Sequence, residues 1–151
     1  MTVQRKDNYS IPGTQTVRAI RAEMKSRIDL RVQTVLRLIE NSFQRPLRLQ
    51  EMADVVCLST SRLDHLFKTE TGMSPERYLA LLRLEAAKRY LETSFRPIKE
   101  IAALVGMPDV SHFTKNFKTV FGMTPTEYRN SRLKMPAIRD VEYAVAGSAK
   151  R

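Results

Sequence analysis

The chain contains one segment twice, and this repeat decides how the rest of the sequence is interpreted. Residues 98–128, IKEIAALVGMPDVSHFTKNFKTVFGMTPTEY, follow the pattern of residues 49–78, LQEMADVVCLSTSRLDHLFKTETGMSPERY, with one additional residue in a turn. Both segments close on the pattern Gly-Met-(Ser/Thr)-Pro-x-x-Tyr. A solenoid needs at least about three stacked repeats. Two copies therefore indicate a duplicated binding unit.

Each copy begins with a short predicted helix. Apolar residues recur at i, i+3, i+4 and i+7 over residues 49–56 and again over 98–105, which is the spacing of one helical face. Pro97 suits the first position of the second of these helices. Gly106 is expected to end it in a left-handed conformation. Cys57 is the counterpart of Gly106 and is expected to adopt the same geometry at a cost of about 1 kcal/mol.

A second predicted helix follows the turn in each copy. Ser59 in one copy and Asp109 in the other can accept hydrogen bonds from the first backbone N–H groups of this helix. Glycine ends it in both cases, at Gly72 and Gly122. Helix, turn and helix with an apolar inner face form a helix-turn-helix unit. The sequence predicts this unit twice, at about residues 49–71 and 97–121.

A further helix is predicted after each unit, because a Ser or Thr cap is followed by proline, which suits a first helical position. After the first unit this helix is long, at about residues 75–93, and after the second it runs only to about Leu133. Upstream, the apolar spacing from Val32 to Phe43 predicts a helix that Asp29 can cap. A weaker stripe from Val17 to Ile28 suggests partial helix in a basic extension, residues 1–28. Residues 134–151 lack periodicity and are predicted to form a mobile tail.

The composition limits the classes of function. The 151 residues carry 26 Lys and Arg against 16 Asp and Glu, a net charge of +10, which favours polyanionic partners such as nucleic acid or an anionic membrane surface. A single cysteine, and no apolar run of the roughly 18 residues that a membrane span needs, predict a cytoplasmic protein without a membrane segment. The histidines and Cys57 lack metal-ligand spacing, and no glycine-rich phosphate loop or catalytic set is present. The chain is therefore expected to have no metal, no cofactor and no enzymatic activity.

With both units placed, the sequence resembles the DNA-binding domain of the AraC/XylS family of bacterial transcription regulators. Three motifs carry the resemblance, which covers about residues 30–130. They are PLRLQEMADVVCLSTSRLDHLFKTETGMSPERYL (46–79), LRLEAAKRYL (82–91) and PIKEIAALVGMPDVSHFTKNFKTVFGMTPTEYR (97–129). The resemblance implies an all-α, bilobed, seven-helix domain over residues 29–133, in which a long linker helix joins two helix-turn-helix units. It also implies recognition helices in two successive major grooves of double-stranded DNA, and activation through contact with RNA polymerase.

The resemblance also implies which residues contact DNA. Those expected to read bases are Ser61, Asp64, His65, Val110, Ser111, Thr114 and Lys115. Those expected to contact phosphates are Arg48, Thr60, Arg62, Lys68, His112 and Lys118. By hydrogen-bonding chemistry, Lys115 can donate to guanine, Asp64 can accept from cytosine, and Val110 can contact a thymine methyl group. For His112, packing beside its phenylalanine neighbour is an equally good interpretation.

Three departures from the family pattern concern the first unit. Arg48 stands where the family has a small hydroxyl residue, Cys57 where it favours glycine, and Asp64 places a carboxylate opposite a polyanion. We therefore expect the first unit to dock more loosely or more selectively than the second. A helical protein-interaction adaptor without DNA affinity is the alternative function. Only about 28 residues precede the domain, too few for a small-molecule effector site, so the chain is either a stand-alone regulator or a fragment of a longer one.

Overall fold

A computed structural model describes residues 28–133 of the protein. Within this range the chain forms seven α-helices and no strand. The helices are α1 (Leu30–Ser42), α2 (Leu49–Val55), α3 (Thr60–Thr71), α4 (Pro75–Thr93), α5 (Ile98–Leu104), α6 (Val110–Phe121) and α7 (Pro125–Leu133). The predicted all-α class, with two helix-turn-helix units and a long helix between them in sequence, is confirmed. The predicted helix at 17–28 and the predicted mobile tail at 134–151 lie outside the described residues, apart from Ile28, which is not helical.

The chain divides into two compact units, and the boundary falls inside α4 between Arg83 and Leu84. The first unit packs α1, α2, α3 and the start of α4 around one apolar core. Its fully buried or nearly buried side chains are Val32, Val35, Ile39, Met52, Ala53, Leu63, Phe67, Tyr78 and Leu79. The second unit has a core of the same kind. Its buried side chains include Leu84, Ala87, Leu91, Ile101, Ala102, Val105, Phe113, Phe117 and Tyr128.

The duplication extends further towards the N-terminus than the sequence patterns indicated. In the first unit α1 supplies the buried residues Val32, Val35 and Ile39, and in the second the C-terminal half of α4 supplies three buried apolar residues at the same spacing. These helices end on the similar segments ENSF (40–43) and ETSF (92–95). Each unit therefore consists of a supporting helix followed by a helix-turn-helix pair.

In both units, the helix that follows the helix-turn-helix pair, here called the closing helix, has a tyrosine near its start that contacts the supporting helix. The closing helices are the start of α4 and α7. In the first unit, the Tyr78 hydroxyl lies 3.5 Å from Oε1 of Glu40. In the second, the Tyr128 hydroxyl donates to Oε1 of Glu92 at 2.5 Å. Burial and the Glu92 carboxylate both raise the pKa of Tyr128, so this phenol stays protonated and remains a donor. The closing Gly-Met-(Ser/Thr)-Pro-x-x-Tyr pattern is thus part of the tertiary structure as well as a turn.

The predicted caps are confirmed. Asp29, Ser59 and Asp109 each accept a hydrogen bond from a backbone N–H group of the following first turn, at 2.8, 3.3 and 3.0 Å. Gly72 and Gly122 both end their helices at φ +79°, in the left-handed region. These bonds satisfy backbone groups that the first and last turns of a helix leave without intrahelical partners.

The left-handed turn between the two helices of each helix-turn-helix pair is confirmed, whereas the predicted position of Pro97 is wrong by one residue. Gly106 has φ +80° and Cys57 has φ +54°, so the cysteine does adopt the left-handed geometry of its glycine counterpart. Pro97, however, is the N-cap of α5 and not its first residue, because its ψ of 146° is extended. Its carbonyl accepts the N–H of Ile101, which makes Ile98 the first helical residue.

Within residues 28–133, no helix has the length and apolar content needed to cross a membrane.

Candidate nucleic-acid interface

The second helix of each helix-turn-helix pair is α3 in the first unit and α6 in the second. These two helices have the same pattern of exposed and buried positions. Every position from 61 to 78 has the same burial class as its counterpart from 111 to 128. Leu63 and Phe67 in α3, and Phe113 and Phe117 in α6, are fully buried. The polar residues that precede and separate these apolar positions lie on the outer face. The two units therefore offer one equivalent surface each, formed by the N-terminal half of α3 or α6.

In α3 the structure brings together the three residues predicted to contact bases. Ser61 and His65 are exposed and Asp64 is half-buried. Residues spaced three and four apart lie on one face of a helix, so these side chains are neighbours in the first two turns. The Asp64 carboxylate accepts a 2.7 Å bond from Nζ of Lys68, and this ion pair lies along the helix surface.

In α6 the four predicted base-contacting residues also share one face. Ser111 and Lys115 are exposed, while Val110 and Thr114 are half-buried. Near this face, the Thr119 hydroxyl donates to the Lys115 carbonyl at 2.9 Å, a contact within the helix itself. A hydroxyl, a methyl-bearing side chain and an ammonium group are thus exposed together at the N-terminal half of the helix.

The residues predicted to contact phosphates occupy several places. Thr60 and Arg62 lie in the first turn of α3, and His112 lies in the first turn of α6. Lys68 and Lys118 occupy the last turns of these helices, so the structure does not bring them to the capped N-termini. Arg48 is the N-cap of α2, is exposed, and makes no side-chain capping bond.

Known proteins share both this sequence pattern and this fold. The sequence model of the family described as "Helix-turn-helix domain" matches residues 52–131, more than half of the chain. The chain belongs to the AraC/XylS family. The transcriptional activator RhaS of Yersinia pestis is 34% identical over 100 residues, which cover 66% of this chain and 37% of RhaS. The chain spans about a third of the length of such curated relatives.

Solved structures give the same result for the fold of this AraC/XylS-family chain. The C-terminal domain of AraT, a response regulator from Geobacillus stearothermophilus, is 31% identical and superposes with a TM-score of 0.68, covering 71% of this chain and 89% of that domain. The DNA-binding domain of AdpA, solved with a target DNA, is 24% identical with a TM-score of 0.66, covering 70% of this chain and 96% of that one. The AdpA comparison shows a shared fold.

The charges on the two recognition helices of this AraC/XylS domain differ. In α3 the basic residues Arg62 and Lys68 are balanced by Asp64 and Glu70. In α6 the basic residues Lys115 and Lys118 have no acidic residue beside them in the helix, and no carboxylate of residues 28–133 forms an ion pair with either. The basic and acidic residues of α3 therefore balance, whereas α6 carries two lysines and no acidic residue.

One residue near the first recognition helix was missed by the sequence reasoning. Arg31, at the start of α1, lines an open groove together with Ser61, Arg62 and His65 of α3. Its guanidinium binds the Asp29 carboxylate through Nε at 3.0 Å and Nη2 at 2.7 Å. Hydrogen bonds from Arg31 lower the pKa of Asp29 to about 2, so the carboxylate stays charged. The sequence offered no signal for this residue, because nothing local shows which face of α1 meets α3.

Proposed function

We propose that residues 29–133 form a domain that binds double-stranded DNA sequence-specifically and regulates transcription, with α3 and α6 as recognition helices in two successive major grooves. The observation that carries the proposal is the matched exposure of the two helices. Each buries an aromatic inner face and exposes a polar outer face at its capped N-terminal half. The major groove of B-DNA is about 12 Å wide and admits one α-helix, and the N-terminal residues of such helices contact base edges.

The side chains on these faces have the chemistry that base edges require. Lys115 donates to guanine O6 and N7, Asp64 accepts from the amino group of cytosine, and Val110 contacts the methyl group of thymine. Ser61, His65, Ser111 and Thr114 supply further donors and acceptors beside them. Phosphate contacts from Arg48, Thr60, Arg62, Lys68, His112 and Lys118 position the helices without reading sequence.

The proposal extends to activation through RNA polymerase. Its support is the relative RhaS, which is a transcriptional activator and is 34% identical to this chain over 100 residues. In a transcription assay with purified RNA polymerase, a promoter that carries the bound site should give more transcript when the chain is added. Less transcript would show a repressor, and unchanged transcript would show that DNA binding alone does not activate.

Selection of bound duplexes from a random pool tests DNA binding and specificity together. We expect an enriched sequence with two conserved blocks and a protected region longer than one helical turn, because successive major grooves lie about 34–36 Å apart. A protected region shorter than one turn would contradict simultaneous use of both helices. Affinity should also fall steeply with salt, since each phosphate contact releases counterions. An adaptor would show no duplex affinity at low salt.

The variant Asp64→Ala tests whether Asp64 reads a base or only changes the electrostatic attraction between α3 and DNA. Removing the carboxylate should raise affinity for random-sequence duplex, because one negative charge no longer faces the phosphates. It should also relax the preference at one base pair of the selected site, where a lost contact costs about 1–3 kcal/mol of discrimination. An unchanged base preference would show that Asp64 does not read sequence.

A further inference from the structure

The groove beside α3 has two walls that come from different helices of the first unit. Ser61, Arg62, His65 and Thr69 line it from α3, and Arg31 lines it from the first turn of α1. Two of its side chains, Arg31 and Arg62, are cationic, and three, Ser59, Ser61 and Thr69, carry hydroxyl groups. Two residues of the α3 wall, Ser61 and His65, are also proposed to read bases. A DNA strand read by these residues would therefore run along the groove that Arg31 lines.

Arg31 keeps unused donors in its present contacts. A guanidinium has five N–H donors in a planar fork, and Asp29 takes one from Nε and one from Nη2. Among the described residues, no group accepts a hydrogen bond from Nη1 of Arg31. The Asp29 carboxylate, which also caps α1 through the Arg31 backbone N–H, therefore orients the guanidinium without saturating it. The side chain is nearly half exposed, at 45%.

The second unit has no equivalent arginine available. When the supporting helices are matched through their buried residues, the counterpart of Arg31 is Arg83 in α4. Its Nε donates to the Phe43 carbonyl at 2.7 Å and its Nη2 to the Arg45 carbonyl at 2.8 Å. Both of these hydrogen bonds of Arg83 therefore go to the segment that connects α1 and α2. The second unit instead carries two lysines and no acidic residue on α6, whereas the charges of α3 cancel.

We propose that Arg31 is a DNA-positioning residue, which binds a backbone phosphate in the groove between α1 and α3 and adds positive charge beside a recognition helix whose own basic and acidic residues balance. This inference rests on the proposed DNA-binding function. Arginine suits the role because its fork can donate two parallel hydrogen bonds to one phosphate. Phosphate contacts of this kind fix the register of a recognition helix on the duplex.

The test compares Arg31→Ala with Arg37→Ala in the full 151-residue chain. Arg37 is an exposed arginine of the same helix that does not line the groove, so both variants lose the same charge. The probes are a duplex selected from a random pool by the wild-type chain and a random-sequence duplex. Arg31→Ala should weaken binding to both about five- to tenfold, and should make the slope of log affinity against log salt shallower by about 0.9. Arg37→Ala should change neither by more than about twofold.

Asp29→Ser tests the same groove in the opposite direction. Serine keeps an N-cap acceptor for α1 while removing the carboxylate that competes for Arg31, so duplex affinity should rise in this variant and fall again when Arg31→Ala is added. Circular dichroism melting checks that each variant is folded. Inorganic phosphate at matched ionic strength should leave duplex binding unchanged. Competition by phosphate that Arg31→Ala abolishes would show a site for free anions instead.

The outcomes separate this inference from the proposed function. If Arg31→Ala and Arg37→Ala behave alike while Lys115→Ala still weakens binding, the role of Arg31 is wrong and the DNA-binding function stands. If the wild-type chain binds no duplex at low salt, both are wrong. A loss that is confined to the selected duplex would show that Arg31 reads a base and does not position the helix through a phosphate.

Discussion

The two helix-turn-helix units of this chain are alike in burial and unlike in chemistry. The positions that pack inward are the same in both, from the first turn of the recognition helix to the closing tyrosine. The outer faces differ, because α3 carries balanced charges with an internal Asp64–Lys68 ion pair, whereas α6 carries Lys115 and Lys118 and no acidic residue. Packing constrains the inner face strongly, since interiors are close-packed. The outer face is free to vary, and there each unit can acquire its own preference for DNA.

The cores also differ in their aromatic content. Phe117 in α6 lies within 5.9, 4.5 and 5.7 Å of the rings of Phe113, Phe121 and Tyr128, measured between ring centroids. Among residues 28–133, its counterpart Phe67 has one such neighbour, Tyr78, at 6.0 Å. Aromatic pairs contribute about 0.5–1.5 kcal/mol each beyond the burial of area. The second unit should therefore depend more on its central phenylalanine.

The largest expected effect is on stability. Phe117→Ala and Phe67→Ala should each lower the free energy of unfolding of their own unit by about 3–5 kcal/mol, because each leaves a cavity in a fully buried site. The loss should be greater for Phe117. Amide hydrogen exchange, read separately for residues of each unit, measures both values. A greater loss for Phe67→Ala would contradict the comparison.

The next effect is on DNA affinity. Lys115→Ala should weaken binding to the selected duplex about tenfold or more, since a lost base contact costs about 1–3 kcal/mol. His65→Ala, the equivalent change in α3, should cost less than about threefold, because the basic and acidic residues of α3 already balance. Fluorescence anisotropy with selected and scrambled duplexes measures both. Lys99→Ala, an exposed lysine of α5 outside the recognition helices, is the matched control. Equal losses for Lys115 and Lys99 would show a general charge effect.

A smaller effect comes from the turns between the helices of each unit. Cys57→Gly should stabilise the first unit by about 0.5–1 kcal/mol, because glycine removes the strain of φ +54° at some cost in the entropy of the unfolded chain. Gly106→Ala should destabilise the second unit by about 1 kcal/mol for the converse reason. Thermal melting measures both, with shifts of about 4–8 °C per kcal/mol for units of this size. A lower Tm for Cys57→Gly would show that the cysteine side chain contributes more than its strain costs.

The smallest effect concerns the helices that close the units. Glu127 accepts from the Thr124 backbone N–H at 2.7 Å and from its hydroxyl at 2.9 Å, and Thr124 in turn accepts the Glu127 N–H at 3.2 Å. This capping box lowers the pKa of Glu127 below its usual value of 4.5. A carboxyl whose pKa is lower in the folded state stabilises the fold above its unfolded pKa, and this contribution is lost as pH falls through the folded value.

The helical structure at the start of α7 should therefore become less stable as the pH falls below about 4.5. The start of α4 has Arg77 at the equivalent position and should not show this pH dependence from that residue. An NMR titration of the Glu127 side-chain carboxyl measures its midpoint, which is expected below 4.5. Glu127→Gln keeps an acceptor without the titration and should remove this pH dependence. A midpoint at or above 4.5 would show that the capping box does not form.

Most of the fold could be predicted from the sequence because its signals are local. Periodic apolar residues, the caps Asp29, Ser59 and Asp109, and the closing glycines act through neighbours within one or two helical turns. The left-handed turn at Cys57 was also predictable, since its counterpart in the repeat is a glycine. The error at Pro97 was one residue, which is the usual uncertainty at a helix end. The predicted DNA-contacting residues stay predictions, although the structure places the base-contacting set of each unit on one exposed face.

What the sequence determined by itself is the set of helices, most of their ends and the duplication of the helix-turn-helix pair, because these depend on residues close together in the chain. Only the tertiary structure decided which supporting helix meets which recognition helix. It placed Arg31 beside α3, although almost thirty residues separate Arg31 from Ser59 in the sequence. It also directed Arg83 to carbonyl groups of the connection between α1 and α2. Such contacts depend on how the helices pack against one another. The packing is set by the shape of the whole close-packed core, and a local sequence pattern does not contain this information.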